Sequence, residues 1–252
     1  LDYEVEIGLV IGRDIPVGTT ISASNLSDYI AGLVVTNDIS ARDIQLPQTQ
    51  FYEAKSYPTF TPTGPALVLL DADELKRFGQ LRLRLRVNGQ QRQNALVDGD
   101  MLYSPVQALQ SLARFQDLAA GDLILTGTPV GTALSAPPKP IAFIASLLPP
   151  AVKWKAFFKS QARNPNYLKS GDVIEASVGT DDGAIDLGAQ SPPDLFAARQ
   201  RDGDVGLAAR RLKRRRLNRL VGDVAPLAEL GLEERLREGG RPAAFAPGQA
   251  DV

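Results

Sequence analysis

The sequence predicts a mixed, strand-rich α+β fold. Three observations carry this. Two segments alternate apolar and polar residues with period two, Tyr3 to Ile7 and Leu81 to Val87. The pair Asn88-Gly89 follows the second and is a strong hairpin signal. The remaining strand signals are not separated by regularly repeated helices, which argues against a doubly wound sheet or an eightfold barrel.

Taken in order, Tyr3, Val5 and Ile7 alternate with Glu4 and Glu6 and predict a half-buried strand, continued by Leu9 to Ile11. Ser22 to Ile30 reads as a short helix closed by Gly32. Leu33 to Thr36 reads as a buried strand running into a polar loop at Asn37-Asp38. Ala66 to Leu70 is a further strand, and Asp71 or Asp73 is placed to cap a helix after it. Ser104-Pro105 opens a helix reaching about Phe115, with a cap and a Pro at its first position. Asp122 to Leu125 and Val173 to Val178 are strands. Residues 133–167 are Pro-rich, with a helix expected over Ala151 to Ala162. They read as an insertion able to cover a site, with Lys153 or Lys155 as candidate lining residues or a solvated helix face.

The 252 residues suffice for one large domain or two small ones, and a net charge of -1 gives no general attraction to polyanions. No Cys and no His are present. Thiolate nucleophiles, thiolate-bound zinc and imidazole bases are therefore excluded for this chain, and a metal site must use oxygen ligands, which favours Mg²⁺, Mn²⁺ or Ca²⁺. No apolar run is long enough to span a bilayer, so no membrane partner is expected and the location is read as cytoplasmic. The chain opens on Leu1 inside a strand pattern, which we read as a missing beginning.

Residues i and i+2 of a strand share a face, so Glu4 and Glu6 project side by side. Close carboxylates repel and raise each other's pKa unless a positive charge lies between them, and a divalent cation would serve. A bare pair of this kind is more often a solvated strand face. Asp38, at the end of an apolar run, is a candidate third carboxylate. Arg42 is placed to grip a substrate carboxylate, or to pair with Asp43 or a local turn. Lys55 near a metal is a candidate base or enolate stabiliser, or a surface lysine. Thr126-Gly127-Thr128-Pro129-Val130-Gly131 offers donors to an anion, or is a tight turn; it is not a Walker loop.

Together, Asp2-Tyr3-Glu4-Val5-Glu6, the run Asn37 to Gln45, Lys55-Ser56, Thr126 to Pro129 and Gly171 to Glu175 resemble the fumarylacetoacetate hydrolase family over residues 1–190. The resemblance implies a mixed β-roll with flanking helices, usually dimeric. It implies a Mg²⁺, Mn²⁺ or Ca²⁺ ion held by Glu4, Glu6 and Asp38. Arg42, Gln45 and Thr128 match residues that meet the substrate, and Lys55 matches the active-site lysine. The implied activity is C–C bond hydrolysis of acylpyruvates and related diketo acids, or decarboxylation, hydration or isomerisation of 2-oxo acids. The family's water-activating His, paired with a Glu, belongs to a segment upstream of the Glu4–Glu6 strand and has no counterpart here. An inactive metal-binding fragment is therefore an alternative.

Residues 191–252 match nothing in the family pattern. They carry 12 Lys and Arg against 9 Asp and Glu, with a run from Arg210 to Arg219. No aromatic is interleaved in that run, so single-strand nucleic-acid binding is not expected. We read this basic, strand-poor tail as a shifted reading frame rather than a folding unit.

Overall fold

The computed structural model describes residues 1–48, 51–135, 140 and 147–191. Among these residues, two antiparallel sheets form the fold. The first has the order β2-β1-β5, from Val5–Ile11 (β1), Ile30–Asn37 (β2) and Leu123–Leu125 (β5). The second has the order β4-β3-β6-β7, from Leu81–Val87 (β3), Gln90–Leu96 (β4), Ile174–Thr180 (β6) and Asp186–Gln190 (β7). The mixed, strand-rich α+β class is the observed one.

The alternation in β3 maps directly onto burial. Leu81, Leu83, Leu85 and Val87 face the core, while Arg82, Arg84 and Arg86 turn outward. At the hairpin, Asn88 and Gly89 have φ of 51° and 75°, the two positive values that a tight two-residue turn requires. Ile174, Ala176 and Val178 of β6 add to the same core. β1 and β2 pack against β3, β6 and β7, so the two sheets bury a common interior.

Both faces of β1 are buried, unlike the half-exposed strand expected. Its odd-numbered face, Tyr3, Val5, Ile7 and Leu9, joins the apolar core together with Leu33 and Val35 of β2. Its even-numbered face is polar toward the start of the strand. There Asp2 bridges to Ser40, the Asp38 N–H donates to the Glu4 carbonyl at 2.8 Å, and Glu6 pairs with Thr36. Register alone thus assembles Asp2, Glu4, Glu6, Thr36 and Asp38 on one face.

Several local expectations are corrected. Ser22 to Ile30 is not a helix; only Leu26–Asp28 forms a 3₁₀ turn. Asn25 Oδ1 accepts from Ser22 N and Oγ, and Asn25 Nδ2 donates to Thr20 O, so local side-chain bonds replace helical ones. Gly32 does not close a helix but lies inside β2. A Cβ there would sit 2.4 Å from Val68 O, so only glycine admits the neighbouring segment. That segment, Ala66 to Leu70, makes a single bridge from Val68 to Leu33 rather than a strand. The loop after Asp38 holds a helix, Arg42–Gln48 (α1), and a second short helix, Phe51–Lys55 (α2), follows.

The other expected helices are present. Ala72–Lys76 (α3) is capped by Asp71, whose side chain accepts from Asp73 N and Glu74 N. Pro105–Leu112 (α4) is capped by Ser104 and ends three residues before Phe115. Pro150–Gln161 (α5) lies in the insertion and clusters Trp154, Phe157 and Phe158, with Lys153 Nζ 4.8 Å above the Trp154 ring and Lys155 exposed. Both ends of the insertion are tied to the start of the chain. Ala133 N and Leu134 N donate to the Asp2 carboxylate at 2.8 and 3.0 Å, and Leu168 N donates to Leu1 O at 2.9 Å. The dimer partner is outside what a single chain displays, and the tail from residue 192 lies outside the described residues.

Candidate metal centre

Glu4, Glu6 and Asp38 come together as the sequence suggested: one carboxylate oxygen of each lies within 4.8 Å of the others, and all three residues are buried. The backbone explains the convergence. Glu4 and Glu6 are two residues apart on one strand, and Asp38 lies directly across from Glu4. Asn37 Oδ1 accepts from Glu4 N at 2.7 Å and holds the start of that strand against β2.

Two cations enter this cluster. Lys55, at the end of α2, donates from Nζ to Glu4 Oε2 at 2.7 Å and to Asp38 Oδ2. Arg42, at the start of α1, donates from Nε to Asp2 Oδ2 at 2.9 Å, from Nη1 to Gln45 Oε1 at 2.6 Å and from Nη2 to Glu4 Oε1. Arg42 and Gln45 lie three residues apart on one helix face, which lets them meet. The backbone ties the two helices together where Ala41 N donates to Ala54 O at 2.9 Å.

The charges do not balance. Asp2, Glu4, Glu6 and Asp38 supply four buried carboxylates, against one guanidinium and one ammonium. If all ionise, the cluster lacks two positive charges, the charge of one divalent cation. The strain shows in the acids. Burial pushes Glu6 up to about 7; the Gly127 N–H at 2.8 Å opposes this, and the charges of Asp38 and Glu4 reinforce it. Burial also raises Asp38, against the pull of Lys55. For Lys55, burial works downward, but its bonds to Asp38 and Glu4 prevail and hold the ammonium above its usual range. For Arg42 too, the Glu4 and Asp2 charges outweigh burial. Both shifts are upward but differ in cause: burial prevails over the one lysine at Asp38, whereas two carboxylates prevail over burial at Lys55.

This donor set fits a hard divalent cation. It offers only oxygens, is close-set and buried, and already draws an ammonium in to offset its charge. Mg²⁺, Mn²⁺ and Ca²⁺ all match such ligands.

Thr128 lies beside the cluster but turns its hydroxyl to the strand. Thr128 Oγ1 donates to Val5 O at 3.1 Å and accepts from Gln93 Nε2 at 2.9 Å. Three residues not singled out from sequence organise the site. Asp2 bridges Arg42 to Ala133 and Leu134 at the outgoing end of the insertion. Asn37 holds Glu4. Gln93, fully buried on β4, accepts from Val5 N at 3.1 Å and donates to Thr128 and to Pro129 O, fastening the Gly127-Thr128-Pro129 turn to β1. Asp2 was within reach of the same i, i+2 rule that selected Glu4 and Glu6. Gln93 carries no local signal.

Comparison with known proteins bears on this arrangement. The model of the fumarylacetoacetate hydrolase C-terminal family matches residues 1–191. An oxaloacetate tautomerase of Bacillus subtilis, YisK, is 39% identical over 178 residues, covering 71% of this chain and 48% of that protein. Among solved structures, a fumarylacetoacetate hydrolase from Exiguobacterium antarcticum superposes with a TM-score of 0.54 at 31% identity, over 76% of this chain and 56% of that one. A 2-hydroxyhepta-2,4-diene-1,7-dioate isomerase from Mycobacterium marinum gives 0.53 at 28% identity, over 75% and 56%. The chain thus spans about half the length of these curated relatives.

Proposed function

The chain belongs to the fumarylacetoacetate hydrolase family, and from that premise we propose that it is a divalent-cation-dependent enzyme acting beside the keto group of small 2-oxo acids. Its best-supported reaction is proton transfer between the keto and enol forms of a 2-oxo diacid of the oxaloacetate type. The observation that carries this reading is the buried Glu4, Glu6 and Asp38 set, two positive charges short, with Lys55 Nζ between Glu4 and Asp38. The tautomerase and isomerase activities named for the relatives agree with it.

A divalent cation in this site would supply Lewis acidity to the keto oxygen, easing loss of the neighbouring proton. The chain's own residues do the rest. Glu4, Glu6 and Asp38 would hold the ion. Lys55 carries a proton on Nζ, stabilised by Asp38 and Glu4; in the enol-to-ketone direction it would give that proton to the enol carbon, and the amine left behind would take the proton released from the enol oxygen. Arg42 and Gln45 fix Glu4 and, through Asp2, the base of the insertion. Enolisation needs a proton carrier and no activated water, a role open to Lys55. C–C hydrolysis of an acylpyruvate would need a water-activating base in addition.

The test is a calorimetric titration with Mg²⁺ or Mn²⁺, then with oxalate as a mimic of the enolate, followed by an ultraviolet assay of enol-to-ketone conversion of oxaloacetate. Metal-dependent oxalate binding and conversion are expected, both lost in Glu6→Gln. Conversion undiminished in Glu6→Gln, or unaffected by chelator, would overturn the reading.

A further inference from the structure

Thr36 is buried on the carboxylate-bearing face of β2, and its Oγ1 has no hydrogen-bond partner among the described residues. A buried hydroxyl without a partner is costly, because it has left water and gained nothing in return. Valine would fill the same β-branched place in a strand at no such cost. The threonine at this position therefore calls for a partner.

The register says where that partner belongs. Thr36 pairs with Glu6 across the β1–β2 ladder, so the two side chains leave the same face as neighbours. Asp38 lies two residues further along and shares that face. On the far side, Thr36 bridges to Thr63, whose own hydroxyl already donates to Thr61 O at 3.2 Å. On the near side, Glu6 Oε2 already accepts from Gly127 N. The row across the sheet thus runs Thr63, Thr36, Glu6, Gly127, and Thr36 is its one member whose polar side chain or amide is left unanswered. Asn37 Nδ2 is also without a partner, but Asn37 pairs with Val5 and so lies on the opposite, core-facing side.

We infer that Thr36 is a positioning residue of the metal centre, whose hydroxyl hydrogen-bonds an oxygen in the coordination sphere of a bound divalent cation. This rests on the metal-dependent reading above. Three carboxylates do not fill the six to eight positions such ions take, so water or substrate oxygens complete the shell. A hydroxyl beside Glu6 can orient one of those oxygens without itself being a ligand. Partners of this kind typically change metal affinity tenfold to a hundredfold. The hydroxyl would thus cost stability in the metal-free chain and return it in affinity when the ion binds.

The experiment uses the full chain and its Thr36→Val and Thr36→Ser variants. Mn²⁺ affinity is measured by calorimetry, and the melting temperature is recorded in chelator. Thr36→Val is expected to weaken Mn²⁺ binding about tenfold or more, with a chelated melting temperature equal to or above that of the parent. Thr36→Ser, which restores the hydroxyl, should bind within about threefold of the parent. Equal Mn²⁺ affinity in Thr36→Val would overturn the inference and leave the metal centre standing. A chelated Thr36→Val that melts well below the parent would also overturn it, because the hydroxyl would then be at work without metal. Failure of the parent itself to bind Mn²⁺ would remove the metal-dependent reading, and this inference with it.

Discussion

Lys55 reaches Glu4 and Asp38 but not Glu6. Its Nζ lies 2.7 Å from Glu4 Oε2 and also bonds Asp38, whereas the Glu6 carboxylate accepts from the amide of Gly127. The lysine and the glutamate therefore divide the site into a compensated half and an uncompensated half.

Glu6 should make the metal-free chain sensitive to pH. Its folded pKa, about 7, stands above the ordinary glutamate value of 4.5, so the folded state binds the Glu6 proton more tightly than the unfolded state. Stability from this group is complete below pH 4.5 and declines as pH rises toward 7. The loss is about 3 kcal/mol for a shift of this size. In chelator, Glu6→Gln should flatten that decline and melt above the parent at pH 8, while losing Mn²⁺ binding. Melting curves between pH 4 and 8, with and without Mn²⁺, check this; a parent profile that is flat in chelator would contradict it.

Lys55 should affect ion binding and turnover in opposite senses. Its ammonium occupies the two carboxylates that a cation must engage, and repels the incoming charge. Lys55→Met should bind Mn²⁺ at least as tightly as the parent, yet convert oxaloacetate about a hundredfold more slowly. Calorimetry and single-substrate kinetics separate the two effects. Weaker ion binding with unchanged turnover would contradict both.

Asp2 should matter to stability more than its position near the start of the chain suggests. It is fully buried and takes hydrogen bonds from Arg42, Tyr3 N, Ala133 N and Leu134 N. Asp2→Asn would present an amide donor to the Arg42 guanidinium and leave that buried charge short of one partner. A loss of about 3 kcal/mol in urea unfolding is expected. A loss below about 1 kcal/mol would show that Arg42 finds full compensation in Glu4.

Removal of residues 192–252 should leave Mn²⁺ affinity unchanged, since every residue of the candidate centre lies between Asp2 and Thr128 and the family match ends at residue 191. Titration of the shortened chain beside the full one decides this. A tenfold loss of affinity would tie the tail to the site.

Much of this was legible in the sequence, unevenly. The β3–β4 hairpin was plain because Leu81 to Val87 alternates cleanly and Asn88-Gly89 satisfies a steric demand that few residue pairs meet. The metal-binding carboxylates were legible because strand periodicity fixes which residues share a face. The helix holding Arg42 and Gln45 was not, since Arg42–Gln48 offers little apolar periodicity and contains Pro47. Ser22 to Ile30 misled because Ser and Asn also make turn-forming bonds with their own backbone. Gln93 was illegible in principle: its three partners, Val5, Thr128 and Pro129, come from distant parts of the chain, and only the folded structure brings them together.

The anchoring of the insertion at Leu1 and Asp2 has a consequence for the metal centre. Its outgoing end is pinned through Ala133 and Leu134 and its returning end through Leu168, on adjacent residues of one strand entry. A change of length or sequence between those pins would leave the clasp at Asp2 in place, and with it the register of Glu4, Glu6 and Asp38.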